Sequence, residues 1–287
     1  MNLFISFSGG KTSAYMTKWL LDNKKGDYDE IVVLFANTGQ ENEETLNFVN
    51  QCDINFKFNT VWLEALVNPE FGCGTRELIT NYESASRNGA PFERVIKKYG
   101  IPNKAAPFCT RELKLAPMNS YIKSLGWKKG TYETAIGIRF DEMDRVSSKM
   151  KELNIIYPLA EENKQTKQSI NRWWERQSFN LNLPEHYGNC KTCFKKSRRK
   201  LLTIAQDNPE FFKFFDEMEM KHGRTGNHSR DENRKFFRDR ESAKDILAAS
   251  KQHFKRYDPR ESIDTNLDLF NEFMDSANGC SESCEVY

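Results

Sequence analysis

Ile5-Ser6-Phe7-Ser8-Gly9-Gly10-Lys11-Thr12-Ser13-Ala14-Tyr15 (ISFSGGKTSAY) joins a short apolar run, Leu3 to Phe7, to a segment in which Tyr15, Met16, Trp19 and Leu20 recur with helical spacing. The stretch therefore reads as strand, glycine turn, helix. Two glycines let the backbone turn tightly and bring amide groups close to an anion, while the following helix offers exposed N–H donors and the positive end of its dipole. Ser6, Ser8, Thr12 and Ser13 add hydroxyls and Lys11 adds a cation, a set that suits pyrophosphate or triphosphate. Glycines at such a turn also serve chain reversal alone, and Ser-Gly-Gly by itself does not separate the two uses. The G-x-x-x-x-G-K-[ST] loop of Walker type is absent.

Working outward, Ile31 to Ala36 (IVVLFA) is a continuous β-branched and aromatic run, as in a strand buried on both faces of a parallel sheet. Glu43 to Cys52 reads as a helix and Phe56 to Leu63 as the next strand, giving β-α-β-α-β. The fold class expected is α/β, an open, mostly parallel twisted sheet with helices on both faces and a helical C-terminal region. Gly72, Gly74, Gly89, Pro91, Pro102 and Pro107 interrupt residues 64–116, which read as looser chain. Thr131 to Ile138 resembles another strand, entering Arg139-Phe140-Asp141. Beyond Tyr157-Pro158-Leu159 the pattern is mostly helical, clearest at Ile170 to Phe179 and Asn208 to Met220. The expected division is residues 1–160 as a nucleotide-binding α/β domain and 161–287 as a mainly helical region.

Composition bounds the function classes. The 287 residues carry 43 Lys+Arg against 41 Asp+Glu, with 38% hydrophobic residues, 21 Phe, 10 Tyr and 5 Trp, which argues against global disorder. No stretch approaches the roughly 20 consecutive apolar residues of a spanning helix, and the first ten residues have neither a basic leader nor a small-residue cleavage site. A soluble, cytoplasmic protein with no membrane partner is expected. The near-neutral total conceals polarity: Lys191 to Lys200 holds six cations and no acid, Lys221 to Glu261 is net basic, and from Asp264 onward there are six acids and no Lys or Arg. A nucleic-acid partner along residues 191–260 is one reading and a solvated helical surface the other.

Four segments carry a family resemblance. Ser6 to Ser13 resembles the PP-loop signature of the adenine nucleotide α-hydrolase superfamily, which includes N-type ATP pyrophosphatases and phosphoadenosine phosphosulfate (PAPS) reductases. Leu34 to Thr45 (LFANTGQENEET) is similar to its second motif, Ile136 to Glu142 (IGIRFDE) to the G-[IV]-R-x-[DE] segment of the reductase branch, and Cys109 to Lys114 (CTRELK) to its Cys-x-x-x-x-Lys stretch. The resemblance implies cleavage of ATP, or handling of a PAPS-like nucleotide, with Ser8 to Ser13 holding the leaving pyrophosphate. Lys11, Ser13 and Arg139 are then the catalytic candidates. Ser6, Ser8, Gly9, Gly10, Thr12, Asn37, Arg111, Lys114 and Gly137 join them as nucleotide contacts, and Asp141 is a candidate for positioning Mg2+ or a substrate hydroxyl.

Seven cysteines form an odd count in a chain long enough to need no disulfide staples, so ligand or nucleophile roles are expected. Cys190-Lys191-Thr192-Cys193 places two thiolates on one tight turn, half of a tetrahedral site. Cys109, Cys280 and Cys284 are available to complete it. Several members of the resembled superfamily bear an iron–sulfur cluster on comparable elements, which implies a [4Fe–4S] cluster on Cys109, Cys190, Cys193 and one of Cys280 or Cys284, with zinc as the alternative. Cys52 and Cys73 read as structural.

The leading expectation is an ATP-dependent PP-loop enzyme that adenylates an acceptor for sulfur transfer or a related modification, with a sulfur-donor protein as a further partner. Reduction of PAPS by a thiol is the runner-up, because Gly279-Cys280-Ser281-Glu282-Ser283-Cys284 replaces the Glu-Cys-Gly-[Ile/Leu]-His nucleophile segment of those reductases. A nucleotide-binding regulator without turnover is the third reading.

Overall fold

The computed structural model describes residues 1–70, 72–188, 190–226 and 233–259. The chain begins β1 (Asn2–Ser6), α1 (Lys11–Asn23), β2 (Ile31–Asn37), α2 (Glu43–Phe56), β3 (Val61–Val67), β4 (Thr75–Thr80) and α3 (Ala90–Tyr99). A π-helical turn at Arg111–Leu115 runs into α4 (Ala116–Ser124), followed by β5 (Tyr132–Ala135), β6 (Ile155–Ile156), α5 (Pro158–Glu161) and α6 (Lys167–Trp174). Helices α7 (Arg198–Asp207), α8 (Lys213–His222) and α9 (Ala243–Ala249) complete the described chain. None of its helices is long and apolar enough to cross a membrane.

One six-stranded sheet has the order β4-β3-β2-β1-β5-β6, parallel except where β4 runs antiparallel along β3. Alternate side chains of β1 explain the layering: Leu3 and Ile5 face α1, α2 and α6, whereas Phe4 faces α4 with Leu34 and Leu63. Leu3, Ile5, Met16 and Leu20 are at most 1% exposed, and burying such a side chain contributes about 2 kcal/mol. From β1 the chain proceeds outward through β2 to β3, then returns to pair β5 with the opposite edge of β1. Connections thus diverge between β1 and β5, where open α/β sheets bind ligands beyond the carboxyl ends of the strands.

The α/β class and open sheet agree with the expectation, while several element boundaries do not. Phe56 ends α2 instead of starting a strand, because Lys57 (φ 57°) and Asn59 (φ 52°) turn the chain through left-handed backbone before β3 begins at Val61. Phe56 and Phe58 are apolar because they pack beneath α6, with Phe56 5.9 Å from Trp173 between ring centroids. The stretch 64–116 holds β4 and α3 despite its glycines and prolines, which fall at turns and at the start of α3. A third core joins Ala65 and Val67 of β3, Phe92, Val95 and Ile96 of α3 and Leu113 to Leu201, Phe212, Phe215 and Ile246 of the C-terminal helices.

Candidate functional site

At the carboxyl end of β1 the backbone turns through Gly9 at φ 78°. A Cβ there would stand 2.8 Å from Thr45 Cγ2 and 3.1 Å from Phe35 Cε2, so the turn is pressed against α2 and β2. The Ser8 amide donates to Ser13 Oγ at 3.2 Å, the two hydroxyls lie 2.9 Å apart, and Ser13 Oγ donates to the Gly10 carbonyl at 3.1 Å. Gly10 caps α1 without a side-chain acceptor, and no acid occupies the first turn. The first amides and the positive dipole end are therefore arranged for an anion. Trp174 Nε1 donates to the Lys11 carbonyl at 2.9 Å. Burial pushes the Lys11 ammonium below its ordinary pKa, and Glu175 acts in the opposite direction.

The far wall of this crevice follows β5. A Cβ on Gly137 would come within 3.2 Å of Ser13 Cα, a close approach that brings the next residues onto the loop. Arg139 Nη1 donates to Thr12 Oγ1 at 3.3 Å, while Nε donates to Asp141 Oδ1 at 2.8 Å and Nη1 lies 3.3 Å from Glu142 Oε2. Burial pushes the Asp141 carboxyl up, but the Lys167 backbone N–H and the Arg139 guanidinium outweigh it and hold the carboxyl below its ordinary value. Glu185 behaves likewise: burial raises it, and the bonded Lys167 with Lys200 and Arg139 prevail. Lys167 Nζ is 2.6 Å from Glu185 Oε2. Glu185 thus lies within electrostatic reach of Lys200, in the first turn of α7, as well as of Arg139.

Asn37 ends β2 fully buried. Its amide donates to Glu64 Oε1 at 2.7 Å and to the Ser86 carbonyl at 2.8 Å, and its Oδ1 accepts from the Gly39 amide at 3.0 Å. These bonds shape the β2 exit. Arg111 is largely exposed, with Nε donating to Glu112 Oε1 at 2.8 Å. Lys114 lines a cavity at the cysteines instead. The structure therefore gathers Ser8 to Ser13, Gly137 and Arg139 around one loop, sets Asn37 beneath the neighbouring strand exit, and places Arg111 and Lys114 on the π-turn.

Cys109, Cys190 and Cys193 come together on that cavity, which has a volume of about 20 Å³ and is walled by Phe92, Leu113, Phe194 and Phe215. Cys193 N–H donates to the Cys190 carbonyl at 3.2 Å, closing the C-x-x-C turn. The turn is held against the β2 exit, since Lys191 N–H donates to the Gln40 carbonyl at 2.9 Å and Asn42 Nδ2 to the Tyr187 carbonyl at 2.8 Å. Thr38 Oγ1 lies 3.5 Å from Cys190 Sγ. Thr110 Oγ1 on the cavity and Thr192 Oγ1 within the C-x-x-C turn are buried with no hydrogen-bond partner. Among the described residues no three of His, Cys, Asp and Glu form a group able to hold a single metal ion. Cys280 and Cys284 lie outside the described residues. Cys52 is in the sheet core, where burial pushes its thiol well up, and Cys73 lies 3.7 Å from Glu70 Oε2.

Sequence reasoning passed over Thr38, Thr110, Glu175 and Glu185. Thr38 sits in the second motif and Thr110 directly follows Cys109, so both positions were visible. The two glutamates had no signal beyond an ordinary helical surface.

An open, mainly parallel α/β sheet with an anion loop at its switch point defines a PP-loop protein of the adenine nucleotide α-hydrolase superfamily. The phosphoadenosine phosphosulfate reductase domain matches residues 2–153, and the chain belongs to that family. It is 32% identical over 290 residues, 99% of this chain and 94% of the other, to the uncharacterized nin region protein ORF290 of Escherichia phage lambda. An uncharacterized protein of Methanocaldococcus jannaschii is 31% identical over 118 residues, covering 41% of this chain and 22% of that protein.

Proposed function

We propose that the protein is an ATP-dependent PP-loop enzyme that adenylates an acceptor in a sulfur-transfer or related modification, beside a cysteine-held iron–sulfur centre. The observation that carries this reading is the loop Thr38 to Asn42. It leaves the strand next to the anion loop and bonds the C-x-x-C turn through Gln40, so the two chemical sites share one structural element.

An acceptor oxygen attacks the α-phosphorus, the bond from the α-phosphorus to the α–β bridging oxygen breaks, and that oxygen leaves with its electron pair on pyrophosphate. Ser8 to Ser13 hold the pyrophosphate through amides and hydroxyls. Lys11 neutralises the charge developing on it. Arg139, pinned by Asp141 and Glu142, presents its guanidinium to a phosphate oxygen. Magnesium accompanies the nucleotide, and the cations between residues 191 and 260 favour a nucleic-acid acceptor.

The donors are thiolates, the ligand type that both an iron–sulfur cluster and zinc take. Three thiols from two segments line one apolar-walled cavity, and the buried Thr110 hydroxyl there, without a hydrogen-bond partner, would donate to sulfur. A [4Fe–4S] cube spreads its thiolates over its corners. Cys109, Cys190 and Cys193 would hold it with Cys280 or Cys284 as the fourth ligand, and when bound it supplies redox or sulfur-handling chemistry.

Anaerobically purified protein is expected to contain iron and sulfide and to absorb near about 400 nm, and Cys190→Ser to lose all three. Colourless protein containing zinc would replace the cluster with the zinc reading, and protein lacking both metals would remove the centre. Pyrophosphate release from ATP in the presence of RNA or DNA acceptors is expected to fall about 100-fold or more in Lys11→Ala. Wild-type turnover in that variant would overturn the loop assignment, and sulfite release from PAPS in place of pyrophosphate from ATP would favour the reductase reading.

A further inference from the structure

The short turn Phe140–Arg145 continues the β5 wall of the crevice and exposes two large apolar side chains, Phe140 at 45% and Met143 at 47%. Single exposed apolar residues are ordinary on protein surfaces, but this turn is fastened in place. Phe140 N–H donates to the Gln165 carbonyl at 2.9 Å and Lys167 N–H to Asp141 Oδ2 at 3.1 Å, which ties the turn to the start of α6. Asp141 pairs with Arg139, and Glu142 with Arg139 and Arg145, so both acids beside the ring are already engaged. Lys164 makes no ion pair among the described residues, and its ammonium lies 5.2 Å from the centroid of the Phe140 ring.

Arg139 turns inward and meets Thr12 on the anion loop, whereas Phe140 stays exposed. Consecutive Cα atoms are about 3.8 Å apart, so the ring stands on the rim of the crevice, next to the guanidinium that faces phosphate. An acceptor brings its reacting atom to about 3–3.5 Å from the α-phosphorus, and the rest of it then lies across the rim. On the β2 side the C-x-x-C turn is bonded to the strand exit through Gln40. The β5 side carries the exposed ring. An aromatic face with a cation beside it can stack a base while the cation meets the adjoining phosphate.

We propose that Phe140, with Lys164, is the platform on which an unpaired base of a single-stranded nucleic-acid acceptor stacks. This rests on the reading of the protein as a PP-loop enzyme that modifies an acceptor, and it names the part of the acceptor that is held. Every base has a π-face, so the ring favours unpaired nucleotides without choosing sequence.

Fluorescent single-stranded dodecanucleotides, DNA and RNA, each made with bases and in a fully abasic form, separate stacking from phosphate contact because the backbone charge is the same. Anisotropy titrations of the full-length protein are expected to show Phe140→Ala losing about tenfold in affinity for the base-bearing strands and less than about twofold for the abasic ones. Phe140→Trp is expected to restore the difference. Equal losses on both kinds of strand, or no loss on either, would overturn the platform. A weakened grip on a non-hydrolysable ATP analogue in Phe140→Ala, with strand binding intact, would assign the ring to adenine and overturn it as well. These titrations need no turnover, so their failure leaves the pyrophosphate assay with Lys11→Ala to judge the ATP reading, and absent pyrophosphate release leaves a base-dependent loss standing.

Discussion

Gly9 carries two constraints at once, a φ of 78° and a Cβ position already occupied to within 2.8 Å by Thr45. Gly9→Ala is expected to destabilise the fold by about 1–3 kcal/mol, the cost of a strained backbone position plus a displaced neighbour. Chemical denaturation measures it, and an unchanged midpoint would show that the turn relaxes freely. At this scale residue types were legible and side-chain directions were not. The strand-exit position of Asn37 is evident from its sequence, yet its amide is spent on Glu64 and Ser86, partners 27 and 49 residues away. Arg139 shows the converse, since its approach to Thr12 depends on β5 lying beside β1.

Glu219, on α8, accepts from the Phe236 and Ala243 amides at 2.9 and 3.0 Å and so pins the chain entering α9. Burial is the larger influence and lifts its carboxyl to about 7, against those two donors. Because the folded-state value lies above the unfolded one near 4.5, the folded protein binds this proton more tightly. The contribution is complete below pH 4.5 and is lost as pH rises through 7. Urea midpoints are therefore expected to fall between pH 5 and pH 8, with a shallower fall in Glu219→Gln, which carries no titrating proton. Equal slopes would mean that other groups govern this range. Among the elements, the parallel strands were readable because continuous apolar runs suit strands buried on both faces. Strand β4 was not, because its pattern is that of an edge whose pairing partner alone makes it a strand.

In the whole molecule, α7, α8 and α9 share a core with β3 and α3. Unfolding by urea is accordingly expected as one transition, coincident by near-ultraviolet and far-ultraviolet dichroism, and two separate transitions would support independent units divided near residue 160. Phe215→Ala, which empties the centre of that shared core and borders the cysteine cavity, is expected to cost about 3–5 kcal/mol and to lower the same single midpoint. By itself the sequence determined the class of the sheet, the anion loop and the cysteines at issue, because hydrophobic period, glycine placement and thiol spacing are local properties. Tertiary structure alone decided that Cys109 meets Cys190 and Cys193, that the β2 exit joins their cavity to the nucleotide crevice, and that Arg199 meets the Arg256 carbonyl. Those juxtapositions span from about 60 to 150 residues, a distance over which packing, not local propensity, selects partners.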